Sequence, residues 1–179
     1  MAIFGPIQTP SLLLGKFSYF AHDFELITWF PGETITIGNY CSIGARVVFC
    51  TGGMRRTDTA ALYPFDVQRA YRTTPTTTIG NDVWVGYGSM ITKGAKVGDG
   101  AIIASGSVVF SDVPPFSVVA GNPSQIIRYR FSKPVIERLL RIAWWHWPDQ
   151  KVFANVDWFY RPIQEFIDHF DPPGEVEHG

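Results

Sequence analysis

The sequence predicts an all-β solenoid, a parallel β-helix of hexapeptide repeats carrying a projecting loop and a C-terminal helical extension, and three observations predict it. Ile79, Val85, Ile91, Val97, Ile103 and Val109 recur at every sixth residue. The position four beyond each is small or β-branched: Val83, Ser89, Ala95, Ala101, Ser107 and Val113. Gly80, Gly86 and Gly98 directly follow three of the aliphatics. A helix would space its apolar residues by three and four, and an exposed strand by two, so a period of six fits short strands joined by tight corners. Three hexads make one triangular coil, with the large aliphatic filling the interior and glycine or a small residue letting the backbone turn.

The phase begins upstream of its most regular stretch. Ile37-Gly38, Ile43-Gly44 and Phe49 share it, and Phe49 precedes Ile79 by thirty residues, a multiple of six, so the register survives the segment between them. That segment, 51–78, has no hexad phase and carries Gly52-Gly53, Arg55-Arg56, Asp58 and Tyr63-Pro64-Phe65. A long loop on a rigid scaffold is where function concentrates, and it also offers a surface to a neighbouring subunit. Regular phase ends near Asp112, and 116–127 form one last irregular coil. From Ser132 the spacing turns helical: 134–142 with Ser132 as N-cap and proline in the first turn, a short helix from Pro148, and a third over 162–170. The expected domains are a β-helix over 1–131, interrupted by the loop, and a helical extension with its tail over 132–179.

Composition narrows the partners. The chain has 179 residues, 46% of them hydrophobic, enough for a continuous core. Its formal net charge is -1 with no stripe of Lys or Arg, which argues against nucleic acid or an anionic membrane and for a small-molecule partner. Cys41 and Cys50 lack the spacing of metal ligands, so no metal site and no disulfide are expected, and Cys41 reads as a small apolar filler. Residues Met1 to Pro6 lack the basic start and apolar run of a secretory leader, and no stretch approaches the roughly 20 apolar residues of a spanning helix. A cytoplasmic location is expected.

The strings IGNYCSIGARV, the loop ending in YPF, TIGNDVWVGYGSMI, VGDGAIIASGSVV, DVPPFSVVAGNP and RIAWWHWPD, in that order, resemble the xenobiotic acetyltransferases, a hexapeptide-repeat family that includes streptogramin and type B chloramphenicol acetyltransferases. The resemblance implies a left-handed β-helix, a homotrimer, acetyl-CoA as acyl donor in a groove between neighbouring β-helices, and a small acceptor such as a sugar or antibiotic under the loop. It places cofactor-binding residues at Trp84, Gly86, Ala104, Ser105, Gly121, Asn122, Pro123 and Arg128, and acceptor-binding residues at Tyr63 and Phe65. Where the family carries a Lys after the last coil and an Arg after the Gly-x-Pro turn, this chain has Phe110-Ser111 and Gln125. Arg128 then remains as a partner for the phosphates of coenzyme A.

The family's loop reads Gly-Gly-Asn-His-Arg-x-Asp, and its His takes the proton of the attacking hydroxyl. Here the stretch is Gly52-Gly53-Met54-Arg55-Arg56-Thr57-Asp58, so Arg55 stands at the His position. A guanidinium, with a pKa above about 12, cannot be that base. Two substitutes are available: Asp58 in the loop and His22 in the first coils, while His146, His169 and His178 lie in the helical extension and its tail, where packing or solvent exposure is expected. Loss of the family base also leaves open a non-catalytic trimer that binds a ligand on the same scaffold.

Overall fold

A computed structural model describes residues 11–28, 33–53, 55–66 and 76–172. The chain divides between Tyr129 and Arg130 into two compact units.

The first unit is the solenoid. Four coils supply three strands each: β1 (Ser11–Leu14), β2 (Tyr19–Phe20) and β3 (Glu25–Ile27); β4 (Thr34–Ile37), β5 (Ser42–Ile43) and β6 (Val48–Cys50); β7 (Thr77–Ile79), β8 (Trp84–Val85) and β9 (Met90–Thr92); β10 (Lys96–Val97), β11 (Ile102–Ile103) and β12 (Val108–Val109). A fifth, partial coil ends in β13 (Ser117–Gly121) and β14 (Ser124–Tyr129). Strands stack into three sheets: A with order β1-β4-β7-β10, B with order β14-β13-β11-β8-β5-β2, and C with order β12-β9-β6-β3. Every pair is parallel except β13 with β14, a hairpin on the edge of sheet B.

The sequence period explains this stacking. Thr78 pairs with Lys96, Trp84 with Ile102 and Met90 with Val108, each eighteen residues apart, so three hexads make one turn. All six aliphatics at the sixth-residue positions are buried at 3% exposure or less, and the small residues four beyond them are buried as well. Ile35, Ile37, Ile43 and Phe49 extend the same column downward, and Cys41 sits within it as a free, fully buried thiol. Each such aliphatic removed from water contributes roughly 1.5–3 kcal/mol, which no single coil could realise alone.

The corners decide where the sequence can vary. Corner AB carries a ladder in which Lys16 N donates to Asn39 Oδ1, Asn39 N to Asn81 Oδ1, and Asn81 N to Asp99 Oδ1, at 2.7–2.9 Å. Glycine is required beneath it, because a Cβ on Gly38 would lie 2.5 Å from the Gly80 carbonyl oxygen. Corner BC keeps one length through all four coils: 21–24, 44–47, 86–89 and 104–107. Corner CA does not. It holds 28–33 in the first coil, 51–76 in the second and only 93–95 in the third. The loop therefore ends at Thr76, two residues short of the expected 78, because Thr77 and Thr78 already pair in β7 with Ile35 and Thr36. Coil 1 pairs with coil 2 at an offset of twenty-three, as in Tyr19 with Ser42, which is why its strands lie outside the phase of the repeat.

The second unit contains α1 (Lys133–Ile142), with Ser132 at its N-cap position, α2 (Asp149–Ala154) and α3 (Ile163–Phe170), joined by the 3-10 turns Trp144–His146 and Val156–Tyr160. Ser132 makes no side-chain cap bond, so Pro134 in the first turn is what sets the helix start. Trp145, Phe166 and Ile167 are its buried centre. Arg138 ties α1 to the end of α3 through Asp168 at 2.8 Å and Asp171 at 3.1 Å.

Candidate active site

The outer face of sheet B gathers the residues expected to meet a cofactor. Trp84 is 55% exposed while its neighbour Val85 is fully buried, the alternation of a strand with one face inside. Trp84 pairs with Ile102, Ile102 with Val118 and Val118 with Arg128. Directly paired residues share a face, so the four form one row parallel to the solenoid axis. From Trp84 to Arg128 the row crosses three strand spacings, about 14 Å. It is apolar along its length and cationic at the β14 end, where Arg128 is exposed and donates to the Tyr129 carbonyl at 3.2 Å.

Corner BC borders this row with minimal bulk. Gly86 and Ala104 stack in consecutive coils, and Ser105 follows, exposed. The amide of Gly86 donates to the Ile103 carbonyl and that of Ala104 to the Val119 carbonyl. These two residues therefore border the row with no more than a methyl group, and their amides are engaged between coils. A Cβ on Gly86 would lie 2.5 Å from Ser105 N, so nothing larger fits. Gly121, Asn122 and Pro123 form the exposed tip of the β13–β14 hairpin, with Gly121 at φ +99° and paired to Ser124. Gln125 follows on the exposed edge strand, and Ser111 is exposed beyond β12.

His22 belongs to the same border. The bonds Ala21 N to Ile43 O, Gly44 N to Val85 O and Gly86 N to Ile103 O put His22, Ala45, Tyr87 and Ser105 in one column at corner BC. His22 is exposed, in the coil farthest from Arg128. It is the solenoid's histidine among the described residues; in the helical unit His169 stacks on Trp158 at 3.9 Å and His146 packs edge-on to Trp145.

The loop residues form a second group, rooted at corner CA, the corner that sheet B does not touch. Arg55 donates from Nη1 to the Leu62 carbonyl, closing the loop on itself. Arg56 grips both oxygens of Asp58, Nε to Oδ1 at 3.1 Å and Nη2 to Oδ2 at 3.2 Å. That pairing raises the guanidinium's pKa above its usual value, chiefly through the hydrogen bond to Asp58. Both carboxylate oxygens of Asp58 are thus engaged by one guanidinium. Tyr63 and Phe65 meet edge to face at 4.8 Å and are 67% and 84% exposed, an apolar pair that no other part of the described chain covers.

Within one chain, then, the cofactor candidates come together on sheet B and its BC border, and the loop candidates come together at corner CA. Neither cysteine offers a covalent route between them: burial raises the thiol pKa of both Cys41 and Cys50, and a neutral thiol is a poor nucleophile. The sequence had no signal for two features of this region. Ile102 and Val118 occupy ordinary outward positions until the register aligns them with Trp84, and a buried ion pair between Glu33 and Lys93, sixty residues apart, lies at the root of the loop.

Known proteins share the repeat and the fold described above. The family described as bacterial transferase hexapeptide (six repeats) matches residues 76–111, which include Trp84 and Ile102 of the row. A chloramphenicol acetyltransferase of Agrobacterium fabrum is 34% identical over 170 residues, covering 83% of this chain and 81% of its own. A probable macrolide acetyltransferase of Lysinibacillus sphaericus is 38% identical over 148 residues, covering 76% of this chain and 80% of its own. The crystal structure of a hexapeptide-repeat acetyltransferase from Vibrio cholerae, complexed with acetyl coenzyme A, superposes with a TM-score of 0.52 at 25% identity over 68% of this chain and 72% of that one. Repeat, fold and full-length relatives converge, and the chain belongs to the xenobiotic acetyltransferase family of hexapeptide-repeat acyltransferases.

Proposed function

We propose that the protein transfers an acetyl group from acetyl-CoA to a hydroxyl, or an amine, of a small acceptor such as a sugar or an antibiotic, on a left-handed β-helix assembled as a homotrimer. The observation that carries this reading is the row Trp84, Ile102, Val118, Arg128. An apolar lane about 14 Å long, bordered by Gly86 and Ala104 and ending on a guanidinium, matches an extended acyl-carrier arm with phosphates at one end. Two relatives are named for acetylating antibiotics, and one neighbour of the same fold holds acetyl-CoA. The trimer is proposed because the loop leaves at corner CA, away from the lane on sheet B, so the loop of one subunit can close on the lane of the next.

When bound, acetyl-CoA supplies the acetyl group as an activated thioester. This chain's residues then have separate tasks. Trp84 and the small BC border hold the arm, while Arg128, with the hairpin tip Gly121-Asn122-Pro123, receives the phosphate end. Tyr63 and Phe65 of the loop give the acceptor an apolar wall. Arg55 and the Arg56–Asp58 pair brace that loop and take no proton. His22 takes the acceptor's proton as its oxygen attacks the thioester carbonyl and returns that proton to the departing thiolate of coenzyme A, since an exposed imidazole can serve as general base and then as general acid. Its placement fits: along the axis the order is Arg128, lane, Trp84 and then the coil of His22, so the base lies beyond the reacting end.

Calorimetric titration with acetyl-CoA tests the lane. Saturation at one per subunit is expected, with affinity falling about tenfold in Trp84→Ala, the loss of about 1.4 kcal/mol of aromatic packing; absence of binding at millimolar cofactor overturns the reading. The base is tested by His22→Gln, which should lower turnover on a hydroxyl acceptor by about a hundredfold or more with acetyl-CoA affinity unchanged. Unchanged turnover assigns the proton elsewhere.

A further inference from the structure

Where the loop leaves β6, a charged pair is shut away from solvent. The Lys93 ammonium lies 2.6 Å from Glu33 Oε1, and the two side chains are 8% and 9% exposed. The Thr51 hydroxyl, itself buried, shares its hydrogen between Glu33 Oε2 and the Ile27 carbonyl, both 3.1 Å away. Three separate turns of the solenoid meet here. Glu33 is the residue before β4, Thr51 the residue after β6, and Lys93 the residue after β9. Because Cys50 pairs with Thr92, Lys93 stands one coil above Thr51.

Stability alone does not call for this arrangement. The interior column already joins the coils, and the desolvation of two buried charges offsets most of their attraction, so apolar side chains of similar volume would hold the coils as well or better. Direction is what apolar packing cannot supply. Oriented hydrogen bonds to both carboxylate oxygens fix the Thr51 side chain against the coils on either side, at the last point before the chain departs. Burial ends just beyond: Thr51 and Gly52 are buried, Gly53 turns at φ +80°, and Arg55 to Tyr63 are exposed. Rooting at Thr51 therefore sets the exit of an otherwise solvent-facing segment.

We propose that the Glu33–Lys93 ion pair is a positioning device for the loop: acting through Thr51, it fixes the direction in which the chain leaves β6 toward Arg55, Tyr63 and Phe65. The acceptor-binding role of that loop rests on the function proposed above, whereas its anchoring does not, and the two are measured separately. The double variant Glu33→Leu/Lys93→Met removes both charges together and so avoids a stranded one. In this variant the melting temperature should stay within a few degrees of wild type. Its amide hydrogen exchange over residues 51–66 should quicken about tenfold, the loss of roughly one charge-assisted hydrogen bond at the root. Acceptor KM should rise about tenfold with acetyl-CoA affinity unchanged, the pattern of lost acceptor positioning. Wild-type exchange across 51–66 in that variant overturns the proposal. Thr51→Val, which keeps both charges paired, gives an independent reading: faster exchange over 51–66 supports the anchor and unchanged exchange overturns it. Should the wild-type protein bind no acetyl-CoA, the exchange measurements still decide the anchor while the titration decides the function.

Discussion

Corner BC and corner CA lie on the same solenoid and obey opposite rules. Corner BC has one length in every coil, is lined by Gly44, Gly86 and Ala104, and tolerates no added side chain where Gly86 meets Ser105. Corner CA changes length from coil to coil and holds both 28–33 and the loop 51–76. The difference teaches how a repeat protein separates its tasks. A lane for an extended ligand needs several coils in identical register, so any insertion along it would break the row from Trp84 to Arg128. Under the proposed function, acceptor recognition needs a distinctive surface, and an insertion at the third corner offers one without disturbing the pairing of the strands on either side.

A substitution and a deletion test that contrast, and the larger effect belongs to the constant corner. Gly86→Val forces side-chain atoms against the Ser105 backbone and its hydroxyl, 2.5 and 2.8 Å from where the Cβ alone would stand. Overpacking against backbone costs about 3 kcal/mol or more, and urea unfolding should show this as a lower midpoint with acetyl-CoA binding lost alongside. Shortening the variable corner should do far less. Removing Thr57 to Ala61, all exposed, changes loop-closure entropy by well under about 1 kcal/mol. The urea midpoint should therefore hardly move, and acetyl-CoA should still bind, while turnover of any acceptor falls sharply. A midpoint that falls as far as in Gly86→Val would show that corner CA is part of the structural core after all.

The ion pair at the loop root sharpens the contrast further. The ladder at corner AB, Asn39 to Asn81 to Asp99, repeats one polar position in successive coils, and such a series is visible as a period. Thr51 and Lys93 follow paired strand ends in consecutive coils, but Glu33 joins them from the far end of corner CA, and the three serve one exceptional exit. Repetition builds the scaffold, and departures from it mark where the scaffold has been given something to hold.

Much of this was legible in the residues. A period of six with alternating large and small inward positions demands short strands around a filled interior, and the observed burial follows it from Ile79 to Val113. The helical extension was equally plain, because Pro134 and the apolar spacing after Ser132 are local signals. Coil 1 was expected within the β-helix, but its strand positions were not read: its offset of twenty-three breaks the phase with coil 2, and the register of β1 to β3 follows from their pairing with β4 to β6. The expected end of the loop at 78 missed by two residues for a related reason, since Thr77 and Thr78 join β7 by pairing with a distant strand rather than by any preference of their own.

By itself, then, the sequence determined the coil, its period, the corner glycines and the place of the interruption, because each is set by neighbours within one or two hexads. It also determined that Arg55 cannot serve as a base, since that follows from the chemistry of a guanidinium alone. Only the tertiary structure decided which outward residues share a row, that His22 stands on the column of Ser105, that Asp58 is held through both oxygens by Arg56, and that Glu33 and Lys93 meet at the loop's root. Those relations depend on the register between coils, which sums every insertion along the chain and has no counterpart in any local stretch of it.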